Sequence, residues 1–285
     1  MQIGAWARSV RERLGFLGEE ARPSAQLLVE RLTGKDALFI ALNPDFPVDD
    51  AVKREAETAL RELERGRPLQ YVLQEAWFYG RSFYVDERVL VPRPETEELV
   101  RWVLEEYSQN EPLHVADWCT GSGCIAITLA KERPAWQCAA WDVSAAVLEV
   151  ARENALRQAV SVCFGERDLL SPGRLAQEAS AYRLVLCNPP YVREREKSQM
   201  PERVKAHEPS AALFVPDDDP LRFYRALAEW GLYALAPGGK CFMEINEALG
   251  QETLALLRDY AYEGLELRRD MQGKCRMIKA IKPLL

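Results

Sequence analysis

Leu113-His114-Val115-Ala116-Asp117-Trp118-Cys119-Thr120-Gly121-Ser122-Gly123-Cys124 is the stretch on which the fold turns. Leu113 to Asp117 reads as a buried strand, Thr120-Gly121-Ser122-Gly123 as a tight turn, and Cys124 to about Glu132 as a helix. A strand, a glycine loop and a helix in that order suit a nucleotide-like ligand. Glycines let the backbone approach the ligand closely, and the helix N-terminus offers free N–H groups. Working outward, Cys138 to Asp142 is a second strand that ends in an acid, and Ser144 caps a helix through Val147, Val150 and Leu156. A carboxylate at such a strand end can accept both hydroxyls of a ribose, the role expected of Asp142. The loop alone leaves the ligand open. Gly121-x-Gly123-x-x-Ala126 also satisfies the dinucleotide fingerprint, with Asp142 at about the expected spacing.

Asn188-Pro189-Pro190-Tyr191 breaks that tie, because hydride transfer has no use for the pocket it makes. It follows the apolar run Leu184-Val185-Leu186-Cys187, a short buried strand. Two prolines end the strand, since neither can donate a ladder hydrogen bond and both fix φ. Pro189 also holds Asn188 extended, so its carboxamide projects stiffly from the strand's C-terminal edge. The Asn188 side-chain oxygen, the Pro189 carbonyl and the aromatic face of Tyr191 together suit a planar NH2 group, either an amide or an exocyclic amine.

The remaining chain is read around these two stretches. Residues 1 to about 66 carry apolar positions at helical spacing, such as Val10, Leu14 and Leu17, then Leu27, Leu28 and Leu32. Pro23-Ser24 reads as a helix start, Asp49 or Asp50 as the cap of a longer helix, and Gly66 as its end. Trp77 to Val91 alternates as a hairpin around Gly80 and Asp86. Pro92 and Pro94 make a stiff lead-in to a helix carrying Leu99, Val100, Val103 and Leu104, with Arg93 between them as either a solvated cation or a clamp near the site. A third strand near Val160 to Phe164 leads to Asp168 and Leu169. Asp168 could accept from an adenine amino group while Leu169 packs on the ring; a helix cap or loop acid is the equal alternative. Val192 to Lys205 is charged and expected to be mobile. Asp217-Asp218-Asp219-Pro220 reads as a solvated turn with a cap. A helix from Leu221 to Leu235, a Pro237-Gly238-Gly239 turn and a strand Cys241 to Ile245 continue the α/β alternation. The last strands, Gly264 to Arg268 and Cys275 to Ile281, are joined too briefly for a crossover helix, so they should be antiparallel.

Composition narrows the class. With 285 residues, 48% hydrophobic and 28% charged, the chain can hold one large domain and a small one. A net charge of −7 argues against a protein that mainly grips a phosphate backbone. Seven cysteines, mostly in apolar runs and without a Cys-x-x-Cys pair, read as reduced core residues of a cytoplasmic protein. Met1 to Leu17 lacks the apolar core of a signal peptide, and nothing approaches the length of a membrane span. Two histidines, His114 and His207, argue against a His-based zinc site or triad.

An open, mostly parallel sheet with an antiparallel last strand, a glycine loop after strand one and an acid after strand two resembles the class I methyltransferases that use S-adenosylmethionine. Asn188-Pro189-Pro190-Tyr191, Arg93-Pro94-Glu95-Thr96-Glu97, Leu69-Gln70-Tyr71 and Asp270-x-x-Gly273-x-x-Arg276 narrow the resemblance to the release factor glutamine N5-methyltransferase family, the HemK/PrmC type. It covers residues 67 to 281 well and the helical start in general character. The resemblance implies a seven-stranded Rossmann-like α/β fold. It divides the chain into a helical domain at 1–74 for recognising the substrate protein, a hairpin linker at 75–92 and a methyltransferase domain at 93–285. It further implies methylation of the glutamine in the Gly-Gly-Gln motif of class 1 peptide chain release factors, with S-adenosylhomocysteine as product and neither nucleic acid nor membrane as direct partner. Asn188, Pro189, Pro190 and Tyr191 would be catalytic. Asp117, Thr120, Gly121, Ser122, Gly123, Asp142, Asp168, Leu169 and Asn188 would bind the cofactor, and no metal is expected. Departures from the family pattern are Cys119 for the first glycine of the loop, the absence of glycines from Pro216 to Leu221, and Asn246 for a usual glycine.

Two rivals differ in class. A nucleic-acid adenine N6-methyltransferase would use the same four residues on a flipped base but should carry a basic recognition domain, whereas this extra domain is charge-balanced. A non-catalytic adenosylmethionine-binding adaptor would leave the quartet without a task.

Overall fold

The computed structural model of the chain describes residues 1–173 and 178–284. Helices α1 (Ile3–Arg13), α2 (Ala21–Thr33), α3 (Ala37–Leu42), α4 (Asp50–Glu64) and α5 (Leu69–Leu73) come first, followed by strands β1 (Ala76–Phe78) and β2 (Arg81–Phe83) and helix α6 (Pro94–Glu106). Then β3 (His114–Trp118), α7 (Cys124–Glu132), β4 (Gln137–Asp142), α8 (Ala145–Arg157), β5 (Cys163–Glu166) and β6 (Tyr182–Cys187) alternate. After them come β7 (Val192–Arg193), α9 (Glu202–His207), α10 (Ser210–Leu213), β8 (Phe214–Val215) and α11 (Arg222–Ala234). Strand β9 (Leu235–Glu244), helix α12 (Gly250–Asp259) and strands β10 (Glu263–Arg269) and β11 (Cys275–Ile281) complete the order. No helix among the described residues is long and apolar enough to cross a membrane.

The contacts divide the chain into two compact units, Met1–Glu75 with Pro201–His207, and Ala76–Met200 with Glu208–Leu285. The first is helical. Its core gathers Ile3, Trp6 and Val10 from α1, Leu28 and Val29 from α2, and Ala56, Leu60 and Leu63 from α4. That i, i+4, i+7 series on α4 is the amphipathic stripe that makes the helix bury one face. Asp49 caps α4 by accepting from Ala51 N at 2.7 Å, and Gly66 follows its end at φ +87°. Helix α2 starts at Ala21, before the expected Pro23, because a proline in the first turn lacks only an N–H that would have no helical partner there. Within the same unit Arg203 forks onto Glu20, both contacts at 2.7 Å.

The second unit is built on a seven-stranded sheet in the order β10-β11-β9-β6-β3-β4-β5. Strands β9, β6, β3, β4 and β5 run parallel, while β11 is antiparallel to both of its neighbours. Two cores cover the two faces. Val115, Leu184 and Leu186 pack with Leu99 and Val103 of α6 and with Ile125 and Leu129 of α7. Their alternates Ala116, Val185 and Cys187 pack with Leu227 of α11 and Leu257 of α12. The period-2 alternation of strands buried on both sides produces this division. Trp118 stands opposite Trp141 in β4 and Cys187 in β6. The segments leaving β3, β4 and β6 therefore emerge side by side at the C-terminal edge, where the strand order reverses direction.

Several sequence expectations move. The hairpin is shorter than Trp77 to Val91: only Ala76–Phe78 and Arg81–Phe83 pair, through a turn with Tyr79 at φ +50° and Gly80 at φ +73°. Beyond it, Tyr84 finds its backbone partner in a side chain: its N–H donates to Asn154 Oδ1 at 2.6 Å, and Asn154 Nδ2 donates to its carbonyl at 2.9 Å. The third sheet strand lies at Cys163–Glu166, not Val160 to Phe164. Pro237-Gly238-Gly239 is a bulge inside β9 and not a turn before it, as the register jump from Tyr182↔Leu235 to Leu184↔Lys240 records. Val192 to Lys205, expected to be mobile, contains β7, a 3-10 turn at Glu194–Gln199 and the start of α9.

Candidate active site

A cavity opens where β3, β4 and β6 end, and its wall begins with the glycine turn. Cys119, Gly121 and Gly123 have φ of +58°, +55° and +80°, so the chain spirals through left-handed conformations before α7 starts. A Cβ built at Gly121, which lines the cavity, would meet nothing within 4 Å, so bare backbone faces the ligand space. At Gly123 a Cβ would come within 2.8 Å of Ile127 Cδ1 and 3.2 Å of Ala151 Cβ, so the turn can lie against α8 only as glycine. Cys119 also lines the cavity and holds a left-handed backbone with a side chain present, which is the physical reason a glycine is usual there.

Asp117 does not line the cavity, contrary to its expected place among the binding residues. It is fully buried and braces the turn from beneath, accepting from Thr120 Oγ1 at 2.6 Å and Ala126 N at 3.3 Å. Burial pushes its carboxyl up to about 7, against the pull of those hydrogen bonds. Asp142, at the end of β4, does line the cavity. Its Oδ2 accepts from Gly121 N at 3.1 Å and its Oδ1 from Ser144 N at 3.3 Å. Burial raises this carboxyl too. A carboxylate offers about four acceptor sites, so beside these backbone bonds it can still take a hydroxyl of a ribose. Leu169 is buried against the cavity, and Asp168 lines it while its Oδ1 accepts from Leu170 N at 2.9 Å. Both readings of Asp168 thus coexist: it tightens a loop, and it faces the ligand space.

The Asn-Pro-Pro-Tyr stretch divides in two. Asn188 and Pro190 line the cavity; Pro189 and Tyr191 do not. The Tyr191 ring, expected to stack on a substrate amide, is half-buried and is held at its hydroxyl end. Its hydroxyl donates to Glu244 Oε1 at 2.7 Å, its carbonyl accepts from Asn246 Nδ2 at 3.0 Å, and its ring lies 5.9 Å from the Arg276 guanidinium. Asn188 Nδ2 donates to Thr96 Oγ1 at 3.0 Å, and Thr96 Oγ1 donates to Glu244 Oε2 at 2.6 Å. Arg93 also lines the cavity and is fixed by Glu208, whose two oxygens lie 2.6 and 2.7 Å from Nη2.

Sequence reasoning missed four contributors. Trp118 lines the cavity from the end of β3, and the Arg167 guanidinium lies 5.1 Å from its ring centroid and 5.2 Å from that of Trp141. Thr96 and Glu244 were missed as well. Glu244 carried one visible signal: it is an ionisable residue closing the apolar run Cys241-Phe242-Met243. Among the described residues no group of three or more His, Cys, Asp or Glu side chains could hold a metal ion.

Bare turn backbone, an acid on the next strand and an apolar wall of Trp118, Val143 and Leu169 fit a nucleoside with its ribose on Asp142. Comparison with known proteins gives the family. Residues 98–207 match the methyltransferase small domain, and residues 5–73 match the PrmC N-terminal domain. The release factor glutamine methyltransferase of Flavobacterium psychrophilum is 42% identical over 84% of this chain and 84% of its own length. That of Streptococcus pneumoniae is 35% identical over 98% of each. This chain belongs to the release factor glutamine methyltransferase family.

Solved structures extend the likeness in fold only. The Thermus thermophilus 16S rRNA N2 G1207 methyltransferase RsmC, in complex with AdoMet and guanosine, aligns with a TM-score of 0.52 at 16% identity, covering 73% of this chain and 49% of that one. A methyltransferase from Pyrococcus furiosus gives 0.50 at 16% identity, covering 81% and 98%. Relatives of the release factor family match along both units of the chain, so the helical start is shared along with the sheet.

Proposed function

We propose that the protein transfers a methyl group from S-adenosylmethionine to the side-chain amide nitrogen of the glutamine in the Gly-Gly-Gln motif of class 1 peptide chain release factors, leaving S-adenosylhomocysteine. The observation that carries the reading is the placement of the Asn188 carboxamide at the end of β6, one strand from the glycine turn, with its nitrogen end tied to Thr96. When bound, S-adenosylmethionine supplies an electrophilic sulfonium methyl. Gly121, Asp142, Asp168 and Leu169 would hold it, with Asp117 and Thr120 keeping the turn in shape. Ser122 and Gly123 would contribute backbone where α7 begins.

An amide nitrogen is a poor nucleophile because its lone pair is delocalised into the carbonyl. What these residues can do is orient it. Asn188 Oδ1, on a residue that lines the cavity, would accept from one N–H of the substrate NH2. The Pro189 carbonyl, whose residue does not line it, would accept from the other at the rim and complete the aim. Positioning of this kind can supply about 7–11 kcal/mol of a barrier. In that pose the same two oxygens would face the positive charge that develops on nitrogen, an electrostatic gain from preorganised dipoles. Pro190 and Arg93 would wall the substrate side, and Tyr191, half-buried against the core, supports the stretch through its bond to Glu244. No side-chain base is assigned, and the proton leaves to water. The helical unit is the proposed reader of the release factor protein, and the cytoplasm, where translation runs, is the proposed compartment.

The test is mass spectrometry of a release factor incubated with this protein and the methyl donor. One added methyl group on the peptide containing Gly-Gly-Gln is expected. A methyl group elsewhere, or none, sinks the reading.

A further inference from the structure

Asn188 can serve as an acceptor only if its oxygen, and not its NH2, faces the substrate. A carboxamide is nearly symmetric in shape, so sterics alone do not choose between the two orientations. The choice is made by hydrogen-bond direction, and that direction begins at a buried acid.

Glu244 is 1% exposed at the end of β9, and Thr96 is 2% exposed in the first turn of α6. A carboxylate has no proton to give, so it accepts from both of its partners, Thr96 Oγ1 at 2.6 Å and Tyr191 Oη at 2.7 Å. Thr96 has one hydroxyl proton, and Glu244 receives it. The Thr96 oxygen is then left with lone pairs only, so what meets it from Asn188 at 3.0 Å has to be the NH2 end. The carboxamide oxygen is thereby turned the other way. Burial raises the Glu244 carboxyl, while the bonds from Thr96 and Tyr191 and the charge of Arg276 oppose that shift. One acid thus pins both ends of Asn188-Pro189-Pro190-Tyr191: the first residue through Thr96, the last directly.

We infer that Glu244 and Thr96 form a one-way hydrogen-bond relay that sets which end of the Asn188 carboxamide faces the substrate. Both are positioning residues: they act on the substrate amide only through Asn188. The inference rests on the reading of Asn188 as the amide-holding residue, and the experiment separates the two.

Single-turnover methylation of a release factor is measured for Thr96→Val, Thr96→Ser, Asn188→Ala and the double variant Thr96→Val/Asn188→Ala, with methyl-donor affinity measured alongside by calorimetry. Valine keeps the volume of threonine but can neither pass the proton on nor accept from Asn188. Thr96→Val is expected to lower the rate on the order of 10²-fold at unchanged donor affinity. Thr96→Ser, which keeps the hydroxyl, should stay within about tenfold of the parent. In the Asn188→Ala background, Thr96→Val should cost nothing further, because the group it orients is gone. Should the valine form not fold, Thr96→Ala replaces it with the same two expectations. A parent-like rate for Thr96→Val, or the same loss in both backgrounds, overturns the relay and leaves Asn188 standing. A parent-like rate for Asn188→Ala removes the amide-holding reading and the relay with it.

Discussion

The glycine turn and the Asn-Pro-Pro-Tyr stretch sit at the same edge of one sheet, yet they are held by opposite means. The turn is specified locally. Its shape comes from φ values at Cys119, Gly121 and Gly123, from Asp117 three residues before Thr120, and from Asp142 on the neighbouring strand. The Asn-Pro-Pro-Tyr stretch is stiffened by its own prolines but oriented from far away. Thr96 lies 92 residues from Asn188, Glu244 lies 53 from Tyr191, and the two partners lie 148 from each other. A binding loop can be written largely in one strand and its turn, with help from the next strand and helix. Aiming a carboxamide takes three separate pieces of the chain, because the chain's own dihedrals do not fix which end of that group points where.

The comparison predicts a split in kinetics. Asn188→Ala should cut turnover on the order of 10²-fold with donor affinity nearly unchanged, since it removes aim and not binding; stopped-time mass spectrometry and calorimetry read the two quantities. Equal losses in both would erase the distinction between the regions. Asp142→Ala should do the reverse. Losing hydrogen bonds to a charged acceptor, roughly 1.5–3 kcal/mol, weakens donor binding about tenfold to a hundredfold while the rate at saturating donor holds. A third test sharpens the claim that the turn is a matter of backbone. Cys119→Gly relieves a left-handed residue that carries a side chain, so it should stabilise the fold by up to about 1–2 kcal/mol in chemical denaturation, with methylation retained.

The smallest effect comes from the far end of α6. Burial pushes the Glu106 carboxyl up, but hydrogen bonds from Lys240 at 2.5 Å and Lys279 at 2.7 Å outweigh it and hold the group at about 2, below its ordinary 4.5. A depressed acid stabilises the fold above its unfolded value, and that contribution is lost as pH falls from 4.5 toward 2. Glu106→Gln should therefore flatten the fall of Tm with pH below 4.5 and leave turnover alone. A change in turnover would mean that α6 couples its two ends.

What could be read in advance follows the same division. The strand–turn–helix from Leu113 to Glu132, the acid at Asp142 and the antiparallel closing pair were legible because each is encoded in neighbouring residues and in period-2 or helical spacing. The hairpin's extent was not: Val85, Val89 and Val91 are buried and look like strand, but Tyr84 pairs with the side chain of Asn154, 70 residues on. Pro237-Gly238-Gly239 looked like a turn because glycine at positive φ serves a bulge equally well. In the site, Asp117 was placed among the binding residues because motif position does not say which side of the backbone faces the core. Thr96 and Glu244 acquire meaning only when strand order brings α6, β6 and β9 together.

Asn154 carries a further consequence. It is fully buried, and the same Nδ2 that donates to the Tyr84 carbonyl also donates to Ser122 O at 2.9 Å. The curvature of the donor-binding turn is therefore shared with the strap that leads out of the hairpin, and one amide on α8 is the rivet between them. Damage to that rivet would present as a cofactor defect even though Asn154 does not line the cavity. Impaired donor affinity in a variant is thus no proof that the lesion lies in the wall of the cavity.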